Sequence, residues 1–190
     1  MITLIIGLCI FLGIHSFRIV SETGRANTQR RLGEARFKGA YSLLSIIGLV
    51  LVVYGYGWGR EGQAALYEPV PGLRHLALIL VPAAFVLVAA AYAPAGHIKK
   101  AVRHPMVLGT ALWALGHLLS NGGMADVILF AAFFVWAVLD YLNSLGRNAP
   151  VLSEPPRVVG DVAAIAIGLV LSAIFVGGLH LWLFGVSPLA

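Results

Sequence analysis

The chain has 190 residues, of which 59% are hydrophobic and 11% charged, with a formal net charge of +5. A mean hydropathy of +0.90 excludes a water-soluble globular domain, and the length suits one domain. The composition therefore predicts a single all-α integral membrane domain over residues 1–190, a polytopic bundle of about six transmembrane helices.

Bilayer-crossing helices need about 20 consecutive apolar residues. The first such run spans Ile2 to Val20. It lacks a basic n-region, its apolar stretch is long and no small-x-small cleavage site follows, so it reads as a helix and not a signal peptide. Cys9, the only cysteine, lies in this run and has no partner for a disulfide. Ser21 to Gly39 is the one long polar stretch and reads as a loop. The second span, Ala40 to Trp58, is followed by a moderate loop from Gly59 to Gly72. Leu73 to Ala93 is the third, Pro105 to Ser120 the fourth and Met124 to Leu142 the fifth. "NGG" at Asn121–Gly123 is a tight turn that makes the fourth and fifth spans antiparallel neighbours. "NSLGRNAPVLSEPPRVVG" is a Pro-punctuated connector to the sixth span, Val162 to Val186. The sequence shows no internal repeat, phosphate loop, paired-Cys motif or nucleophile elbow.

The cations explain the net charge without a nucleic-acid partner. Arg18, Arg25, Arg30, Arg31, Arg36 and Lys38 follow the first span, Lys99, Lys100 and Arg103 the third, and Arg147 and Arg157 the fifth. Only Arg60 and Arg74 fall in the other loops. The positive-inside rule then makes the odd-numbered loops cytoplasmic and places both termini outside, in a bacterial inner membrane.

Ionisable side chains at bilayer depth are costly and mark functional positions, each with a partner to be named. His15, His117 and His180 lie inside spans; His75, His97 and His104 lie near span ends, where solvation or helix capping accounts for His75 and His97. His104 and His117 are 13 residues apart, roughly 20 Å of helical rise and about 140° of rotation, so one metal cannot take both. His104 has an interfacial position beside Arg103, while His117 needs a partner on another helix. Two readings of His117 stand open: an imidazole bonded to a neighbouring helix, or a metal or haem ligand. Around it Gly109, Trp113, Gly116 and Ser120 recur at helical spacing, a stripe on which a flat ring could lie, or through which two helices could touch. His15 has Gly13 and Ser16 beside it and Arg18 nearby, which also fits a polar cluster snorkelling to the interface. His180 follows a Gly-Gly pair. Among the carboxylates, Asp140 is placed to pair with Arg103 or Arg147, and Asp126 and Asp161 sit near helix starts, where the dipole favours them.

Several of these stretches together carry a resemblance. His15-Ser16, "LGEARFKGAYSLLSIIGL" from Leu32, and "RHPMVLGTALWALGHLLSNG" from Arg103 resemble the NnrU family of membrane proteins, from the first span through the fifth. That family includes the 15-cis-zeta-carotene isomerase, a haem b enzyme that isomerises a polyene double bond once its iron is reduced, and NnrU proteins associated with nitrogen-oxide metabolism. The resemblance implies haem b as cofactor, with His15 and His117 as axial iron ligands and Trp113, Gly109 and Gly116 lining the cofactor. It implies a catalytic role for His104 and Arg103 of the RHP motif. The isomerase has a further histidine pair where this chain has Trp136 and Ala137.

The span boundaries put His15 about five residues from one end of its helix and His117 about twelve, a depth offset of roughly 10 Å. A tilted porphyrin absorbs that offset; otherwise His104 matches the depth of His15, and His180 that of His117. The leading expectation is a haem b membrane protein acting on an apolar polyene or a small nitrogen-oxide ligand, with lipid as its surroundings. Two alternatives remain. "RHPMVLG" also resembles the RHPxYxG segment of membrane methyltransferases that use S-adenosylmethionine, although Val107 replaces the tyrosine and no acidic motif follows the fifth span. The other is a non-catalytic accessory subunit of a respiratory complex.

Overall fold

A computed structural model of the chain describes residues 1–147, 152 and 154–189; part of the Pro-punctuated connector therefore lies outside the described residues. The described residues are predominantly helical, with no β-strand beyond one isolated bridge between Ala65 and Gly123.

Apolar helices form along the stretches the hydropathy indicates, but not all of the six expected spans reach membrane-crossing length. Four are long and apolar enough to cross a membrane: Glu34–Arg60, Pro71–Tyr92, Met124–Leu145 and Val158–Phe184. The other two are shorter. Helix α1, Ile2–His15, has 14 residues and stops at Ser16, after which the chain makes a separate turn, α2, Phe17–Val20. The segment Pro105–Ser120 has 16 residues. At 1.5 Å per residue these reach about 21 and 24 Å, short of a hydrocarbon core about 30 Å thick. Each of these short helices carries one of the two intramembrane histidines singled out by the resemblance.

The polar stretch after α1 is not a loop. Ser21 accepts the Gly24 amide at 2.9 Å and so caps α3, Glu22–Leu32, a pattern in which a hydroxyl satisfies a free first-turn donor. Gly33, at φ 79°, breaks the chain once, and α4, Glu34–Arg60, begins six residues before the apolar run. Pairs of opposite charge four residues apart, Arg18–Glu22 and Glu34–Lys38, support these polar turns. The chain continues through α5, Pro71–Arg74, α6, Ala77–Tyr92, α7, His97–Val102, α8, Pro105–Ser120, α9, Met124–Leu145, and α10, Val158–Ile174. The chain kinks at Gly178, where φ is 149°, and continues as α11, His180–Phe184.

The packing uses small residues. α1 lies against α4 through Gly7 and Gly48: a Cβ on Gly7 would meet the Val52 amide nitrogen at 2.6 Å, and one on Gly48 the Phe11 nitrogen at 2.7 Å. α6 packs on α8 and on α10, α8 on α9, and α1 and α4 both touch α9. Fully or nearly buried alanines (Ala84, Ala90, Ala114, Ala125, Ala137, Ala164) fill these contacts, while large apolar side chains such as Ile46, Val53, Leu139 and Val170 point outward. Small residues inside and large apolar ones outside is the arrangement of a bundle solvated by lipid.

Candidate functional site

Helix α9 carries Phe130, Phe133 and Trp136 on one face, and the candidate histidines meet that face at different levels. His117 stacks on Phe130, ring centres 4.6 Å apart. Trp113, one turn earlier on α8, packs edge-on against Phe130 and Phe133 at 5.2 and 5.6 Å. His15 sits edge-on to Trp136 at 6.1 Å and to Tyr41 at 5.3 Å. Phe130 and Trp136 are six residues apart, about 9 Å of rise, so the depth offset expected from the sequence persists. The structure does not bring the His15 and His117 rings into contact. Between them runs a continuous series of aromatic rings: His15 to Phe11 at 4.4 Å, Phe11 to Phe133 at 5.8 Å, Phe133 to Trp113 and Trp113 to His117 at 5.2 Å.

His117 meets a different imidazole. The His180 ring lies 6.4 Å from it, 23° from parallel. Each of these three histidines has Nδ1 against a backbone carbonyl: His15 on Phe11 at 2.6 Å, His117 on Trp113 at 2.8 Å and His180 on Val186 at 2.8 Å. Assigned from those bonds, the N–H sits on Nδ1 and donates to the carbonyl, leaving the Nε2 lone pair free on each ring. A metal-binding histidine is prepared in the same way.

The glycines of the α8 stripe face elsewhere. A Cβ on Gly109 would meet Ala84 and Val88, and one on Gly116 would meet Val81 and Leu80, all on α6. Gly109 and Gly116 therefore make the α6–α8 contact, while Trp113 alone of the trio faces the aromatic niche around His117.

A polar network closes the same end of the bundle. Tyr56 donates to Asp126 at 2.6 Å, and Gln63 donates to the second Asp126 oxygen at 3.0 Å while accepting the Ala125 amide at 2.6 Å. Leu66 donates to Gly122 at 2.7 Å and Met124 to Ala64 at 3.0 Å, so residues 63–67 are pinned across the "NGG" turn. The Tyr67 hydroxyl bonds to the Leu118 and Asn121 carbonyls. Arg60 lies over the Tyr56 ring and donates to the Phe184 carbonyl at 3.1 Å, tying α4 to α11. Sequence reasoning missed Tyr56, Gln63 and Tyr67 because nothing local marks them; the buried Asp126 was the one available sign.

The RHP residues lie at the opposite end of α8. Arg103, at φ 59°, is the only non-glycine among the described residues with positive φ, and its guanidinium donates to the Leu145 carbonyl at 3.4 Å. His104 begins α8. Its Nε2 and an Arg147 guanidinium nitrogen are buried without a partner among the described residues, as is the Trp136 indole nitrogen. Burial holds the His104 imidazole below its ordinary value of 6.5, and the Arg147 charge lowers it further. Asp140 pairs with Arg147 at 3.5 Å, one of the two partners expected for it. Asp161 accepts the His97 and Ile98 amides at 3.0 and 2.8 Å and the His97 ring at 2.8 Å, so it caps α7 from α10.

A lipid-solvated helical bundle with imidazoles and a closed polar network inside it defines a polytopic membrane protein. The chain belongs to the NnrU family: the family model described as NnrU protein matches residues 3–188. No curated protein and no solved structure matches it significantly.

Proposed function

We propose that this NnrU protein binds haem b within the membrane and that His117 is an axial ligand of the iron. The observation that carries the reading is the state of His117: Nδ1 fixed on Trp113, Nε2 free, and a second imidazole 6.4 Å away. Among the described residues no three His, Cys, Asp or Glu side chains cluster as a metal site. Haem needs no such cluster, because the macrocycle supplies most of the coordination and the protein only one or two axial groups.

When bound, haem would supply one-electron redox chemistry and a site for a small nitrogen oxide or an apolar polyene. The chain's own residues set its surroundings. Trp113, Phe130 and Phe133 provide apolar walls that lower the dielectric, and the Trp113 carbonyl fixes the ring orientation and raises the basicity of His117. His15, tied to Phe11, is the second ligand implied by the family resemblance; sharing an iron with His117 requires the two to close their depth difference of about 9 Å.

Absorption spectra of the purified protein, oxidised and reduced, test the reading. A Soret band that sharpens on reduction and is lost in His117→Ala is the expected result. Colourless protein from haem-replete cells overturns it.

A further inference from the structure

We infer that the groove along α1 and α2 beside α4 holds an acyl chain of one anionic phospholipid, whose phosphate is taken by Arg18. The site is separate from His117 and does not depend on haem.

The groove has a volume of about 480 Å³ and is lined by Cys9, Gly13, Ile14, Phe17 and Val20 with Leu44 of α4, a size within the range of small-molecule sites. Cys9, Gly13, Phe17 and Val20 recur every three or four residues, so one helical face runs across the break at Ser16. Gly13 keeps that face hollow, since a Cβ added to it would meet nothing within 4 Å. The one hydroxyl in the lining, that of Ser16, already donates to the Leu12 carbonyl at 2.7 Å. Such a surface suits a hydrocarbon chain.

Charge selects the headgroup. Residues 16–40, which follow the groove, carry six cations, Arg18, Arg25, Arg30, Arg31, Arg36 and Lys38, against two carboxylates, Glu22 and Glu34. At the other end of the bundle Arg60 and Arg74 are balanced by Glu61 and Glu68. A cluster of four to eight cations beside a membrane helix is a signature of anionic-lipid recognition. Arg18 stands in the α2 turn between two lining residues, Phe17 and Val20. Its side chain is 53% exposed and pairs at 3.2 Å with Glu22, itself 59% exposed. An exposed pair of this kind is weak, so the guanidinium is free to offer its fork to two phosphate oxygens. From Ile2 to Arg18 the helical rise is about 24 Å, less than a hydrocarbon core of about 30 Å, and the arginine therefore draws a headgroup inward to the level where the groove ends. A zwitterionic lipid offers the same phosphate but sets its ammonium among these cations.

Native mass spectrometry of the full chain in detergent tests the site, with phosphatidylglycerol and phosphatidylcholine of identical acyl chains as the probes. The expected result is one retained phosphatidylglycerol, preferred about tenfold over phosphatidylcholine, with binding about fivefold weaker in Arg18→Gln, the factor for one cation at an anionic surface. Arg18→Lys keeps the charge and restores most of the binding, and Gly13→Leu, which fills the groove, loses the retained lipid. Arg74→Gln makes the same charge change at the far end, where the Arg74 carbonyl meets Ser120, and leaves binding unchanged. Unfolding midpoints taken without added lipid separate loss of lipid from loss of fold. Equal binding of the two lipids, binding unaffected by Gly13→Leu, or equal weakening in Arg74→Gln and Arg18→Gln overturns the inference. Release of the lipid by inorganic phosphate alone overturns it too, since that marks a site for a free anion.

Discussion

Tyr56 on α4 donates its hydroxyl to Asp126 on α9 at 2.6 Å. Asp126 is only 7% exposed, and Gln63 supplies its other donor. Removing one partner of a buried polar group costs about 1–3 kcal/mol. Tyr56→Phe is therefore expected to lower thermal stability in detergent by that order. Asp126→Ala, which strands both the Tyr56 hydroxyl and the Gln63 amide, is expected to cost more; equal stability of Asp126→Ala and wild type contradicts the network.

The α1–α4 contact makes an independent prediction. Gly48→Val places a side chain where the Phe11 backbone stands 2.7 Å away, and backbone cannot yield as a flexible side chain can. Overpacking of this kind costs about 1–3 kcal/mol, read as a lowered unfolding midpoint. Gly13→Ala is the control: nothing lies within 4 Å of its added Cβ, and replacing glycine inside a helix is worth up to about 1 kcal/mol of stabilisation.

His104 sets a pH dependence. Its imidazole in the folded chain holds a proton less readily than the ordinary value of 6.5, through burial first and Arg147 second. The unfolded chain then binds more protons across the interval below that value. Stability is fully present above about pH 6.5 and declines as pH falls from there through the folded value. Unfolding midpoints measured between pH 7.5 and 5 should show this fall for the wild type and a shallower one for His104→Gln; parallel curves would exclude the assignment.

How much of this was legible in the sequence differs from residue to residue. The apolar helices were, because hydropathy reports directly what lipid will solvate, although four and not about six are long enough to cross a membrane. Their ends were less so: Ser16 interrupts the first run between α1 and Phe17–Val20, and α4 starts at Glu34 and not Ala40, since helices extend on capping and charge pairs that an apolar-run reading ignores. The same blindness turned α3, Glu22–Leu32, into a loop. His117 was legible as a lone imidazole in an apolar run, and the offset from His15 followed from counting residues. That Gly109 and Gly116 face α6 was one of two readings of the stripe, and only the neighbouring helix could choose. The closeness of His180 to His117 depended on a kink at Gly178 and on Gly185 folding the chain back, backbone events for which the sequence offers only the glycines themselves.

Chemical rescue tests the central claim, that His117 holds the iron, most directly. His117→Gly should lose the low-spin spectrum of the wild type and regain it when free imidazole fills the vacated niche beside Trp113 and Phe130. A His117→Gly protein that keeps the wild-type spectrum without imidazole would contradict the account.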